Sequence, residues 1–303
     1  MLEIKSVNKS YGKKQVLFDV SYRFSDGVYG LLGPNGAGKS TLLQIMTDNL
    51  ACDSGDIVYE GKSILRNSKH YRKNLGYVPQ LQGMYEMFSA YQFLAYLAAV
   101  KGIKKADAAR EVERVLKVVG LYEESARKLS TYSGGMKQRI LIAQALLGDP
   151  KVMIMDEPTA GLDPKERIRI RNFISRISEM KTVIIATHVV SDVDTIAKEV
   201  LLLGEGRIKS AGSINELCRT LEGKVYETII DSEEIGKIEN FAVISNIQEL
   251  PGRKIKIRFI LSSKNTKETD KAQWLPVAPN LQEVYLYTFS ERCGRGEKDA
   301  YKV

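Results

Sequence analysis

One run of nine residues, Gly33 to Thr41 (GPNGAGKST), limits what this chain can become more than any other feature. It satisfies G-x-x-x-x-G-K-[ST] at every fixed position. The apolar segment Val28–Leu32 precedes it, and Ser40–Thr47 follows with Leu42, Leu43, Ile45 and Met46 spaced for the buried side of a helix. Glycines at 33, 36 and 38 let the backbone curl so that its N–H groups converge on phosphate oxygens. The helix N-terminus beneath adds the positive end of a dipole. The motif implies ATP or GTP held by Gly33, Pro34, Asn35, Gly36, Ala37, Gly38, Lys39, Ser40 and Thr41. Lys39 is placed to reach the β- and γ-phosphates, and the Ser40 hydroxyl to complete a Mg2+ shell. A mere glycine-rich turn would not require all the fixed positions together with a strand before and a helix after.

The surrounding pattern predicts an α/β sheet. Val16–Phe24 is rich in β-branched and aromatic residues, and Asp56–Tyr59 and Leu75–Val78 read as further strands. Val152–Met155, Thr182–Ala186 and Val200–Leu203 are short apolar runs of the kind buried parallel strands show. Between them, Ser89 to Leu147 is helical: Ser89 and Gln92 suit a capping box, and Lys105–Val119 carries Ala108, Val112, Val115, Leu116 and Val119 at helical spacing. The expected organisation is a first domain over 1–220 with an inserted helical block at about 85–150, closed by a helix at Asn215–Leu221. A small α+β domain over 221–303 follows, with strands at Val225–Ile230, Ala242–Gln248 and Lys254–Ile260, a helix at Leu281–Phe289 and a frayed tail after Cys293.

Charge and composition exclude several classes. The formal net charge is +8, and residues 62–150 hold 15 basic and 7 acidic side chains, so that segment carries the whole excess. The longest apolar run, Phe93–Val100, is far short of the roughly 20 residues a membrane-spanning helix needs. The start lacks the pattern of a secretory signal. Cys52, Cys218 and Cys293 lie far apart, and His70 and His188 are the only histidines, which argues against a disulfide framework and a metal knuckle. Reduced thiols are expected.

Two more segments bear chemistry. Val152–Glu157 (VMIMDE) is an apolar strand ending in two carboxylates, whose side chains point to opposite faces. Asp156 suits Mg2+, and Glu157 is placed to polarise an attacking water. Residues 132–139 (YSGGMKQR) open a helix, where Ser133, Gly134 and Gly135 would form a second anion-binding turn. At these residues the chain resembles the ABC (ATP-binding cassette) ATPases, whose signature is usually LSGGQ, and the likeness covers about residues 1–220. It implies a P-loop NTPase fold that binds ATP and Mg2+. It further implies that Tyr11 stacks on adenine, Gln80 touches Mg2+ and water, Ala160–Asp163 couples two sites, and His188 contacts the γ-phosphate. Tyr132 and Met136 depart from the signature, and Met136 lacks the amide that Gln would offer.

The resemblance implies an ATPase subunit of a transporter, an exporter, acting with separate membrane-spanning permease subunits and a second cassette in a homo- or heterodimer. Its place would be the cytoplasmic face of the membrane, peripherally bound. Tyr85, Met87, Phe88, Tyr91 and Phe93 could form an apolar docking surface, although a buried core is the expected home of most of them. The 221–303 segment is expected to stabilise the dimer or touch the partner, with Trp274 as a packing residue. Two alternatives compete with this reading. A nucleic-acid-associated ATPase would need heptad arms, a second cassette in the chain or zinc cysteines, so no specific nucleic acid is expected. An idle regulatory cassette conflicts with Lys39, Asp156, Glu157 and His188 standing together.

Overall fold

The N-terminal strands follow from alternating and β-branched residues, and the loop between strand and helix falls where its glycines put it. The computed structural model describes residues 1–80, 83–261 and 274–290. Strands β1 (Leu2–Tyr11), β2 (Lys14–Phe24) and β3 (Gly27–Leu32) precede α1 (Lys39–Met46). β4 (Ser54–Tyr59), β5 (Lys62–Ser63), α2 (Ser68–Lys73) and β6 (Leu75–Val78) follow. The helical block is α3 (Ala90–Val100), α4 (Lys105–Val118) and α5 (Gly134–Leu146). Then come β7 (Val152–Asp156), α6 (Pro164–Ile177), β8 (Thr182–Thr187), β9 (Glu199–Gly204) and β10 (Arg207–Gly212). The chain continues through α7 (Ile214–Arg219), β11 (Val225–Asp231), α8 (Ile235–Glu239), β12 (Ala242–Leu250), β13 (Lys254–Leu261), β14 (Leu275–Pro276) and α9 (Leu281–Ser290).

Two compact units divide the chain, Met1–Ile208 and Lys209–Val303. The division falls within β10, ahead of the helix that the sequence assigns to the end of the first domain. In the first unit an antiparallel sheet has the order β2-β1-β4-β5, and a six-stranded sheet has the order β10-β9-β3-β8-β7-β6. Five strands of the larger sheet, β6 to β9 and β3, run parallel. Every residue of β7 and β8 is buried, which is why they read as unbroken apolar runs. Register decides function here. Leu32 pairs with Thr187, Asp156 with Ala186 and Val78 with Met155, so four strands end at one carboxyl edge. Ligands in such sheets bind beyond that edge.

The helical block keeps its expected cap: Gln92 N donates to Ser89 Oγ at 3.2 Å and Ser89 N to Gln92 Oε1 at 2.9 Å. Tyr132, the departure from the signature, is buried, and its hydroxyl donates to the Glu124 carbonyl at 2.6 Å. Only part of the aromatic expectation survives. Phe93 is in the core, but Tyr85, Met87, Phe88 and Tyr91 are exposed, because they sit on the irregular approach to α3 and on its outer face. Tyr85 and Phe88 pack on each other at 5.2 Å, and Tyr96 joins them as a further exposed ring.

The second unit is α+β, with an antiparallel sheet in the order β12-β13-β11-β14. Ile257 and Phe259 centre its core, and Trp274 packs there, stacked on Phe241 at 5.6 Å and edge-on to Phe259 at 5.1 Å. Glu283 is buried and accepts from Arg258, Ser245 and the Asn280 backbone. Cys52 and Cys218 are not joined in a disulfide, whereas Cys293 and the tail lie outside the described residues.

Lys101, just past α3, donates to the Leu147 carbonyl at 2.7 Å. Burial pushes its ammonium down to about 8 from 10.5, against the pull of the Glu111 carboxylate. Below pH 8 the folded chain carries a charge that unfolding would return to water. Between about 8 and 10.5 the unfolded chain binds the extra proton, so stability rises with pH in that window. The urea midpoint of the wild type relative to Lys101→Met should therefore increase across it, and a constant difference would contradict the burial of this charge.

Candidate nucleotide site

The loop after β3 is shaped by close backbone approach. A Cβ at Gly33 would stand 2.1 Å from the Leu203 carbonyl oxygen, so only glycine lets β3 run beside β9 into the turn. Gly36 and Gly38 have φ of 78° and 101°, the left-handed region that favours glycine. Gly38 caps α1 without a side-chain hydrogen bond, and the first turn holds no acid. The N–H groups of that turn remain available to an anion.

An open cavity of about 640 Å3 lies against this loop. Tyr11, Asn35 to Thr41, Gln80, Asp156, Glu157 and His188 all line it, so sites spread over most of the first unit converge. Gly33 and Pro34 contribute from behind, since their carbonyls accept from Lys39 Nζ at 2.6 and 3.1 Å. Burial pushes the Lys39 ammonium below its usual range, and Glu157 and Asp156 oppose the shift. Burial, reinforced by the Glu157 charge, pushes the Asp156 carboxyl up, while Lys39 and a hydrogen bond with Ser40 hold it back. The strand end therefore gathers one buried cation and two buried carboxylates around an open polar space.

Glu157 does not continue β7. Its φ is 48°, a left-handed conformation that redirects the carboxylate relative to Asp156. This backbone turn, rather than strand alternation, separates the two acids. Glu157 Oε1 accepts from the His188 backbone N–H at 3.0 Å and lies 2.7 Å from His188 Nδ1, and Oε2 accepts from the Thr187 hydroxyl at 2.9 Å.

Ser133, Gly134, Gly135 and Asp163 do not line this cavity. Ser133 caps α5 by accepting from Met136 N, and Asp163 caps α6 by accepting from Glu166 N at 2.9 Å. Ser133 and Gly134 are exposed, while Gly135 is buried beneath Glu166, whose carboxylate a Cβ there would meet at 2.7 Å.

Part of the cavity wall is not legible in the sequence. Lys14, Gln15, Val16, Phe18, Glu205 and Gly206 also line the cavity. Glu205 and Gly206 have φ of 49° and 71°, the left-handed pair of a tight hairpin turn between β9 and β10. Gly206 N donates to the Ala37 carbonyl at 3.0 Å, and Phe18 N donates to the Gly206 carbonyl at 2.9 Å. The Glu-Gly dipeptide just after the apolar run Val200–Leu203 was the available signal.

The sequence pattern of the family described as ABC transporter matches residues 17–160. The linearmycin resistance ATP-binding protein LnrL of Bacillus subtilis (strain 168) is 32% identical over 269 residues, 87% of this chain and 86% of its own length. This chain is an ATP-binding protein of the ABC transporter family. The Nod factor export ATP-binding protein I of Paraburkholderia xenovorans (strain LB400) is 30% identical over 94% of this ABC protein and 95% of its own length. Among solved structures, cbiO1 from Clostridium perfringens, part of the ABC transporter complex cbiONQ, aligns with TM-score 0.63 and 29% identity, covering 73% of this chain and 94% of that one. The ABC protein is thus an ATPase with the P-loop NTPase fold.

Gly206→Ala combines a left-handed φ with a Cβ 2.0 Å from the Val16 carbonyl oxygen. It should cost roughly 2 kcal/mol or more of stability and weaken nucleotide binding. Gly36→Ala, which meets nothing within 4 Å, should lose only about 1 kcal/mol from backbone strain. Thermal melts and titration with a fluorescent ATP analogue would compare them; equal losses would contradict the close packing of the hairpin turn.

Proposed function

We propose that this ABC protein is the ATP-hydrolysing subunit of an exporter, working at the cytoplasmic face of a membrane with separate membrane-spanning subunits and a second cassette. The observation that carries the reading is the alignment of strand ends, which gathers Lys39, Ser40, Gln80, Asp156, Glu157 and His188 around one cavity. Export is supported by the relatives whose likeness runs into the C-terminal unit: one confers linearmycin resistance and one exports Nod factor. No helix among the described residues is long and apolar enough to cross a membrane, so a transport role calls for separate spanning subunits.

In this reading Tyr11 stacks on adenine, and the N–H groups of residues 33–41 hold the phosphates. Lys39, whose ammonium has three donors, keeps its loop carbonyls and turns its remaining N–H to the γ-phosphate. Ser40, Asp156 and Gln80 are hard oxygen donors, and the carboxyl that burial pushes up would be relieved by a cation, so the set suits Mg2+. Bound Mg2+ would supply charge neutralisation for the phosphates. Glu157 accepts the proton of the attacking water, and His188 holds Glu157 and reaches the γ-phosphate.

The exposed Ser133 and Gly134 stand outside the Lys39 cavity, which supports a head-to-tail pair in which the signature and Asp163 of one cassette complete the site of the other. Tyr85, Met87, Phe88 and Tyr91, exposed shortly after Gln80 in the chain, would meet the membrane subunit.

Three outcomes are expected. Lys39→Ala weakens ATP binding in a titration. Glu157→Gln binds ATP but turns over about 100-fold or more slowly, and accumulates an ATP-dependent dimer in size-exclusion chromatography. Phe88→Asp leaves hydrolysis by the free protein intact and removes co-purification with membrane-spanning subunits. Undiminished turnover in Glu157→Gln would take Glu157 out of the reaction.

A further inference from the structure

Behind Glu157 lies a buried set of hydroxyls and carboxylates that the reading above leaves unused. Oε1 of Glu157 faces two donors, the backbone N–H and Nδ1 of His188. With Nδ1 protonated both lone pairs of Oε1 are occupied, so Oε2 is the atom able to take a proton from water. The Thr187 hydroxyl donates to that same Oε2 at 2.9 Å. Thr187 has one hydroxyl hydrogen, and its oxygen already accepts from Val189 N at 3.0 Å.

A second carboxylate competes for that hydrogen. Asp192 is 4% exposed, and its Oδ2 stands 3.4 Å from the Thr187 hydroxyl. No cation pairs with Asp192 among the described residues; the side-chain donor that holds it is the Thr159 hydroxyl. A buried carboxylate so served takes whatever donor comes within reach, because an unmet one is costly. Thr159 belongs to the segment that runs from Glu157 to Asp163, the cap of α6.

We propose that the Thr187 hydroxyl is a two-position donor shared by Glu157 and Asp192, and that Thr159 sets its position. While Thr159 holds Asp192, Thr187 occupies Oε2 of Glu157 and restrains it. When the 158–163 segment draws Thr159 away, the Thr187 hydroxyl rotates to Asp192, and Oε2, relieved of that donor, becomes the stronger acceptor of a proton from water. No covalent bond changes in the exchange. Thr159, Thr187 and Asp192 are positioning residues, and through them the loop assigned to the second cassette governs the base. The inference rests on Glu157 acting as the base.

The test is steady-state ATP hydrolysis by the full chain, with kcat and KM for ATP measured separately and melting temperatures alongside. Asp192→Asn keeps the Thr159 bond but is a weaker acceptor, so Thr187 stays on Glu157 and kcat falls about tenfold with KM unchanged. Thr159→Val leaves Asp192 without its donor, so kcat rises severalfold. Thr187→Val also raises kcat and removes the effect of adding Asp192→Asn, whereas Thr187→Ser behaves as the wild type. Loss of kcat in all variants in step with their melting temperatures would overturn the proposal, as would an Asp192→Asn effect that persists in Thr187→Val. If Thr187→Val does not fold, the opposite signs of Asp192→Asn and Thr159→Val decide alone. Retained turnover in Glu157→Gln strikes the underlying reading instead, and is scored separately.

Discussion

Leu32, Asp156 and Thr187 end three neighbouring strands whose pairing brings them level to within a residue, and the nucleotide cavity is a consequence of that alignment. Parallel strands lend themselves to this, because all their carboxyl ends face one way and the loops leaving them gather there. Each strand end then delivers a different group: a cradle of N–H donors after β3, two acids after β7, and Thr187 with His188 at β8. A slip of one residue between β7 and β8 would separate Glu157 from both Thr187 and His188 while leaving every strand intact. Every side chain of β7 and β8 is buried, so close packing of their particular shapes holds the register and the core protects the chemistry.

The electrostatics follow from the same arrangement. Lys39, Asp156 and Glu157 are each buried to within a tenth of full burial, an arrangement a protein tolerates when charges of both signs answer one another. Asp156 and Lys39 are displaced in opposite directions by burial, and each holds the other back. The surplus positive charge of residues 62–150 is a separate matter. Lys101 apart, which burial draws down, most of its cations lie at the surface.

Much of the first unit could be read from the residues because its signals are local. A glycine loop with fixed spacing, unbroken apolar runs and a capping box each report on a few adjacent positions, and β3, β6, β7, β8 and α3 stand where those signals put them. What escaped was set by distant contacts. Nothing near Asp192 announces that Thr159 will close on it, and nothing near Glu205 shows that its hairpin closes on Ala37. Tyr132 reads as a defect in a signature, yet its hydroxyl is a buried strut to Glu124. The rings at Tyr85, Phe88 and Tyr91 read more as core than as docking surface and stand in solvent, since exposure depends on which face of the block they reach.

The sheet order also bears on synthesis. β3, which leads into the phosphate loop, has β8 and β9 as its neighbours, and β8, the earlier of the two, begins only at Thr182. The strand therefore leaves the ribosome with both backbone edges unpaired, and stays so until β8 and β9, about 150 residues further along, have emerged. An apolar segment in that condition pairs readily with other exposed strands. The glycine loop is present from the start, but it becomes a binding site only when the late strands arrive to hold it, so nascent chains shorter than this cannot be rescued by nucleotide.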